Sequence, residues 1–146
     1  MQYLHATLSV VFLLISSSIT KGSDELTVWQ IPCVTGIEGE SVIMNCTLSN
    51  ETLGPVKWYK GDNRTLIYSQ ITTTELSPRI IRAVPDSATR NIYHSINITN
   101  ITSEDAGMYY CMVFNSDKET VATSGLGTQL HVCCKYKTIA ERINGM

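Results

Sequence analysis

The run from Asp105 to Cys111 constrains the fold of this chain more than any other stretch. It reads Asp-Ala-Gly-Met-Tyr-Tyr-Cys, which is a corner followed at once by the start of a strand. The glycine permits a tight backbone, Tyr109 is placed to hydrogen-bond back across the corner, and Cys111 points inward two residues later. An earlier cysteine, Cys46, and a tryptophan that follows it, Trp58, lie on strand-like runs of their own.

Cysteine, tryptophan and cysteine at this spacing are typical of an immunoglobulin variable-type sandwich. In that fold the indole packs against a disulfide that joins the two sheets. We therefore predict an all-β sandwich of two antiparallel sheets, a disulfide between Cys46 and Cys111, and a core that contains Trp58 and Tyr109.

Short strand-like runs separated by turn residues agree with an all-β domain. Between Ser41 and Leu48 the pattern has a period of two. The face with Cys46 must be the core, so Asn45 points outward. That inward face is Val42, Met44, Cys46 and Leu48, and the outward residues are Ile43, Asn45 and Thr47. Gly36–Glu40 reads as a turn and Asn115–Ser124 as a polar hairpin loop. The predicted strands are Glu25–Gln30, Ser41–Leu48, Val56–Lys60, Thr65–Ser69, Arg79–Arg82, Ile92–Ile98, Gly107–Phe114 and Thr128–Val132.

The amino terminus predicts export from the cell. Leu8–Ile15 is an apolar segment of signal-peptide length, too short to span a bilayer, and Ser16–Thr20 is small and polar. We expect cleavage near Gly22, so that residues 1–22 are a signal peptide, 23–132 the variable-type domain and 133–146 a short tail with cysteines. The domain then meets an oxidising environment, where the Cys46–Cys111 disulfide would form.

Five Asn-x-Ser/Thr motifs predict a glycoprotein. One such motif is common by chance, but five in a domain of this size are not. The middle residue of the first motif is Cys46, and the last two motifs are close enough to compete. The five candidate sites are Asn45, Asn50, Asn63, Asn97 and Asn100.

Charge and residue pattern exclude several classes of function. The formal net charge is −2 and no basic cluster occurs, which argues against nucleic acid or an anionic membrane as the partner. No histidine lies beside a nucleophile motif, and His94 on an inward strand position is expected to be a core residue. Adjacent cysteines do not suit a tetrahedral zinc site. We expect no enzyme activity, no cofactor and no metal.

Several motifs resemble the N-terminal variable domain of the signal-regulatory proteins, over about Glu25 to Val132. The motifs that carry this resemblance are Gly54–Gly61, Leu66–Gln70, Pro78–Ile80, Arg90–Asn91, Ser95–Ile98, Asn100–Thr102, Asp105–Cys111 and Ser124–Thr128. The glycine pair Gly125 and Gly127 is similar to the bulge of antigen-receptor joining segments. Arg79 and Asp105 match the pair that forms a salt bridge at the base of such domains.

The resemblance implies a recognition domain of myeloid or lymphoid cells. In that family the loops at the tip of the variable domain bind the integrin-associated protein, an immunoglobulin-superfamily marker of self. The corresponding loops are Ser49–Pro55, Ser69–Ser77, Asp86–Arg90 and Asn115–Ser124. The candidate ligand-binding residues are Asn50, Glu51, Thr52, Leu53, Gln70, Thr72, Ser116, Asp117, Lys118 and Glu119.

Three further cysteines leave an alternative function open. The total of five is odd, so at least one thiol lacks a mate in the chain. Cys33 could bridge to the tail, but we favour an interchain disulfide through Cys133 or Cys134. The chain would then be a disulfide-linked dimer or assembly subunit, or a truncated isoform of a membrane immunoreceptor.

Pairing in that alternative would use an exposed sheet face. The face carries Tyr59, Tyr110, Met112 and Phe114. Because the tail contains no apolar run long enough to cross a bilayer, we expect the chain as written to be secreted, whereas family members reside at the plasma membrane.

Overall fold

A computed structural model describes residues 24–72, 76–84 and 91–135 of this chain. The predicted signal peptide and most of the predicted tail lie outside these residues. Within them the fold is all-β, with one 3-10 turn at Ser103–Asp105, and no helix is long and apolar enough to cross a membrane. The eleven strands are β1 Val28–Trp29, β2 Cys33–Ile37, β3 Val42–Met44, β4 Thr47–Leu48, β5 Val56–Lys60, β6 Thr65–Ser69, β7 Ile80–Arg82, β8 Ile96–Ile98, β9 Gly107–Phe114, β10 Val121–Ser124 and β11 Thr128–Cys133.

One layer of the sandwich is organised around the long strand β9. The strand order is β2-β11-β9-β5-β6, and β10 also pairs with β9. Both β10 and β11 pair with the same side of β9: β10 lies beside the end of β9, and β11 lies beside its start. The predicted antiparallel arrangement has one exception among the described strands: β2 runs parallel to β11, with Cys33 opposite Gln129.

The other layer contains the order β3-β8-β7, with β1 and β4 forming a short antiparallel pair. A bridge between Thr47 and Tyr93 links the two groups of strands. The predicted strand Ser41–Leu48 is thus divided into β3 and β4. At the break the N–H of Cys46 donates to the Oγ of Ser95 (3.1 Å), so a side chain replaces a backbone acceptor there.

Two other predicted strands, one predicted turn and one predicted loop also differ from the structure. The amino-terminal strand is only Val28–Trp29, and the chain then crosses at Pro32 to the opposite layer, where β2 occupies part of the predicted turn Gly36–Glu40. The predicted loop Asn115–Ser124 contains β10, which pairs with β9. The strand predicted from Ile92 begins only at Ile96.

The Cys46–Cys111 disulfide joins the two layers, with 6.3 Å between the Cα atoms. This confirms the predicted cross-link and the sandwich class. Trp58 is fully buried, and its Nε1 donates to the carbonyl of His94 (2.9 Å). His94 is itself buried, and desolvation is the main reason that its pKa is lowered. The remaining core residues include Val42, Met44, Leu48, Val56, Ile96, Ile98, Ile101, Tyr109, Val113 and Leu130.

Candidate functional site

Two of the predicted ligand-binding loops lie side by side at one end of the sandwich. Residues 49–55 and the hairpin that follows β9 line one open cleft, which we call the tip cleft. Its lining residues are Leu26, Glu51, Thr52, Leu53, Gly54, Phe114, Asn115, Ser116 and Ala122. The structure therefore brings together candidates from loops that are distant in sequence.

Gly54 permits the close approach of these two loops. A Cβ atom at this position would lie 1.7 Å from the carbonyl oxygen of Phe114, so no larger residue fits without moving the backbone. The N–H of Phe114 also donates to the carbonyl of Pro55 (3.0 Å). Backbone contact thus sets the separation of the loops.

The hairpin is held by hydrogen bonds to the carboxylate of Asp117. Its Oδ1 accepts from the N–H groups of Glu119 and Thr120, both at 2.9 Å, and the hydroxyl of Thr120 donates to Oδ2. These bonds, that of the Thr120 hydroxyl first, lower the pKa of Asp117. Lys118 has a φ of +66°, which turns the loop at its end. Asp117 therefore organises the loop, whereas its neighbours project into solvent.

Gln70, in the second predicted loop, is hydrogen-bonded to the strand that follows the first loop and to Asn91. Its Oε1 accepts from the N–H of Val56 (3.1 Å), and its Nε2 makes a long hydrogen bond of 3.5 Å to Oδ1 of Asn91. Asn91 in turn reaches the carbonyl of Thr52 at 3.5 Å. Thr72 is exposed. Residues 73–75 and 85–90, which belong to the second and third predicted loops, lie outside the described residues.

The tip cleft presents one strongly exposed apolar side chain among polar ones. Leu53 is 97% exposed, so its apolar side chain is available to a partner at the edge of the cleft. The surrounding candidates Asn50, Glu51, Ser116, Lys118 and Glu119 are also exposed. An open surface of this composition suits a protein partner better than a small molecule, which usually binds in an enclosed pocket.

The sheet face predicted for pairing is covered by cations of the same chain. The guanidinium of Arg64 lies 3.6 Å from the ring centroid of Tyr110 and also contacts the sulfur of Met112. Lys57 lies 4.1 Å from the ring centroid of Phe114, which is only 6% exposed. The expectation of an exposed face was therefore wrong for Phe114, and the other aromatic residues, including Tyr59, are half-buried.

The corner at the opposite end of β9 is built on an ion pair. Arg79 donates to both carboxylate oxygens of Asp105 at 3.0 and 2.8 Å, and the hydrogen bond from Arg79 is the main reason that the pKa of Asp105 is lowered. The hydroxyl of Tyr109 donates to the carbonyl of Asp105 (2.6 Å). Burial raises the pKa of Tyr109 well above its usual value. These residues stabilise the corner and lie far from the tip cleft.

Gln30 is a structural residue that the sequence analysis missed. It is 8% exposed, and its Oε1 accepts from the N–H groups of Cys111 (3.1 Å) and Gly127 (3.2 Å). Its Nε2 donates to the carbonyl of Tyr109 and to the hydroxyl of Thr128. Gln30 thus ties the glycine bulge between β10 and β11 to β9. Its position just before the strand crossing at Ile31-Pro32 is the one hint in the sequence.

The five glycosylation motifs differ in accessibility. Asn50, Asn63 and Asn100 are exposed; Asn45, at the break between β3 and β4, and Asn97, on β8, are half-buried. Asn50 lies on the first loop of the tip cleft, where an attached sugar would alter access.

The three remaining cysteines are exposed and carry free thiols. Cys33 pairs in register with Gln129, four residues before Cys133. At about 3.3 Å per residue this separation is about 13 Å, far more than the roughly 7 Å between Cα atoms that a disulfide tolerates. A bridge between Cys33 and the tail therefore does not fit this fold. The described residues contain no group of three potential metal ligands.

Comparisons with known proteins agree with this fold. The model of the immunoglobulin V-set domain matches residues 31–139. The tyrosine-protein phosphatase non-receptor type substrate 1 of Rattus norvegicus is 44% identical over 103 residues, and its Mus musculus counterpart is 43% identical over 104; each alignment covers 66% of this chain and 20% of the relative. The signal-regulatory protein beta-1 of Homo sapiens is 37% identical over 120 residues, which cover 78% of this chain and 30% of that protein.

The chain thus spans less than a third of the length of these relatives. The matched region contains the disulfide, the corner and the loops of the tip cleft. The resemblance that the sequence motifs predicted is confirmed. The chain belongs to the immunoglobulin V-set family, and its relatives there are signal-regulatory proteins.

Proposed function

We propose that this chain is an extracellular immune recognition module that binds a protein ligand through the tip cleft and modulates leukocyte signalling or phagocytosis. V-set domains related to signal-regulatory proteins act in recognition at the cell surface. The observation that carries the proposal is the 97% exposed Leu53 beside an ordered hairpin. In the mature protein, residues 1–22 would be removed and the domain 23–132 released by secretion.

Order in the loops favours this role for physical reasons. Asp117 holds the hairpin through backbone N–H groups, and Gly54 packs its loop against the backbone at the end of β9. Loops that are already arranged lose less conformational entropy when a partner binds. A leucine that loses contact with water when a partner binds adds a favourable hydrophobic contribution to the binding free energy.

The resemblance supplies a candidate ligand, the integrin-associated protein. The experiment that tests it is binding of the purified glycosylated domain to matched cells with and without that protein. We expect saturable binding that disappears on the cells without it. Leu53→Asp should weaken binding by at least about tenfold, which is typical of a central interface residue. Leu126→Asp is the matched control, because Leu126 is 94% exposed and lies outside the tip loops.

An Asn50→Gln variant separates the loop surface from its possible sugar. Stronger binding of this variant would mean that a glycan on Asn50 restricts access to the tip cleft. Equal binding to both cell types, with and without the Asn50 motif, would refute the ligand. Loss of binding in Leu126→Asp as large as in Leu53→Asp would refute the tip cleft as the site.

A second candidate function rests on Cys133 and Cys134, which are exposed at the end of β11 and have no mate within the fold. The chain would then be an assembly subunit linked by a disulfide to itself or to another receptor. Non-reducing electrophoresis of the secreted protein tests this: we expect a species of higher mass that is lost in Cys133→Ser/Cys134→Ser and kept in Cys33→Ser. A monomer in all three proteins would exclude the assembly role.

A further inference from the structure

The outer surface of the β3-β8-β7 sheet carries an apolar row with an asparagine at its centre. Ile43 on β3 and Ile81 on β7 both pair in register with Asn97 on β8. The neighbours of these three in each strand point into the core, so the three side chains share the outer face. Ile43 is 51% exposed and Ile81 is 53% exposed. We call these three residues the Asn97 row.

The side chain of Asn97 is half-buried on this face. Its Oδ1 is buried and has no hydrogen-bond partner among the described residues. The other amide atom, Nδ2, is the one to which an N-linked sugar is attached. The hydroxyl-bearing residue that completes the motif, Thr99, follows two positions later, and its Oγ1 donates to the carbonyl of Arg79. The asparagine of a complete motif therefore lies directly between two partly exposed isoleucines.

We propose that Asn97 carries an N-linked glycan whose first sugars cover Ile43 and Ile81. During attachment Nδ2 forms a bond to C1 of an N-acetylglucosamine held on a lipid pyrophosphate; the C1–oxygen bond to the pyrophosphate breaks, and Nδ2 loses one proton to solvent. The lipid pyrophosphate is the leaving group. The secretory pathway that Leu8–Ile15 predicts would supply this donor.

The position of the asparagine determines which occupant fits the row. A sugar attached at the centre of the row reaches both isoleucines at once, because each is directly opposite Asn97 at roughly 5 Å between Cβ atoms. Pyranose rings have apolar C–H faces, so they can remove these side chains from water as a protein surface would. A face that is covered in this way is also not available for pairing with a second copy.

The first test is site-resolved occupancy of the wild-type protein secreted from mammalian cells. Glycopeptide mass spectrometry should find Asn97 glycosylated. The second test compares retention on a hydrophobic interaction column. Asn97→Gln and Thr99→Ala both remove the motif and should elute later than wild type, whereas Thr99→Ser keeps the motif and should elute with it.

A double-mutant cycle distinguishes covering of the isoleucines from the general polarity of a sugar. In an Ile43→Ser/Ile81→Ser background, the delay caused by Asn97→Gln should shrink by at least half. The delay caused by Asn100→Gln should be the same in both backgrounds, since Asn100 lies outside the row. An unoccupied Asn97, or an equal delay in the two backgrounds, would overturn the proposal. A glycan-free dimer that dissociates in the serine background would assign the row to a second copy instead.

Discussion

Replacement of Gln30 by methionine should destabilise the domain strongly although it changes the shape of the side chain little. The two side chains are of similar length and flexibility, so packing is nearly preserved. What is lost is a set of four hydrogen bonds from a residue that is 8% exposed. The variant therefore isolates the polar contribution of Gln30.

The magnitude follows from the groups that would lose their partner. The N–H groups of Cys111 and Gly127 both donate to Oε1 of Gln30 in a buried region. A buried donor without a partner costs about 1–3 kcal/mol, so these two alone correspond to roughly 2–6 kcal/mol. Some relaxation of the bulge at Gly127 lets water reach its N–H, so we expect the free energy of unfolding to fall by about 3 kcal/mol.

The assay is urea unfolding with the disulfide intact, followed by the fluorescence of buried Trp58. Gln129→Met is the matched control, because Gln129 lies on β11, is only half-buried and makes one hydrogen bond to the next residue. It should change the free energy of unfolding by no more than about 0.5 kcal/mol. A loss below about 1 kcal/mol for Gln30→Met, or equal losses for both variants, would show that Gln30 does not hold the bulge to β9.

Two further predictions concern the corner. Asp105→Asn should cost about 2 kcal/mol at neutral pH, less than a fully buried pair because the side chain of Arg79 is 37% exposed. Because the folded-state pKa of Asp105 is lowered, its ion pair contributes fully to stability above the unfolded-state pKa of about 4, and the contribution is lost as pH falls through the folded-state pKa. Plots of unfolding free energy against pH for the wild type and Asp105→Asn should therefore converge at acid pH. Parallel plots would contradict this. Tyr109→Phe removes the 2.6 Å hydrogen bond to the carbonyl of Asp105 and should cost about 1 kcal/mol in urea unfolding, against less than about 0.5 kcal/mol for the control Tyr110→Phe; equal effects would contradict the assigned bond.

The central part of the fold was predictable because its sequence signals are local and agree with one another. The bounds of Val56–Lys60, Thr65–Ser69 and Gly107–Phe114 were predicted correctly. Turn residues lie next to each of these strands, and the first and last also contain a buried tryptophan or cysteine. The disulfide followed from the same residues. Agreement among local signals is what makes a strand readable from sequence.

Strands at the edges were harder to predict because their pairing depends on distant partners. The first strand was predicted as Glu25–Gln30, but at Pro32 the chain changes layer, and β2 then pairs in parallel with β11. The strand β10 is exposed on most of its length, and its backbone pairs with β9. No local pattern specifies either pairing.

The candidate sites were predicted less well, because they depend on contacts between side chains that are distant in sequence. The aromatic residues on the β9 face were predicted to form a binding surface, but Arg64 and Lys57 pack against the rings of Tyr110 and Phe114. Gln30 looked like an ordinary polar residue of a strand. In both cases the partner is distant in sequence, so the pattern could not reveal it.

The distribution of contacts along β9 shows which end of the domain can change in sequence while the fold is kept. At the start of the strand, Asp105 and Tyr109 are fixed by an ion pair and a short hydrogen bond, and at its middle the disulfide and Gln30 hold Cys111. Beyond Phe114, the loop depends mainly on bonds among its own residues, with one from Lys57. Substitutions there leave the core contacts intact and so cost little stability. For this reason the tip is the end of the domain at which substitutions cost the least stability.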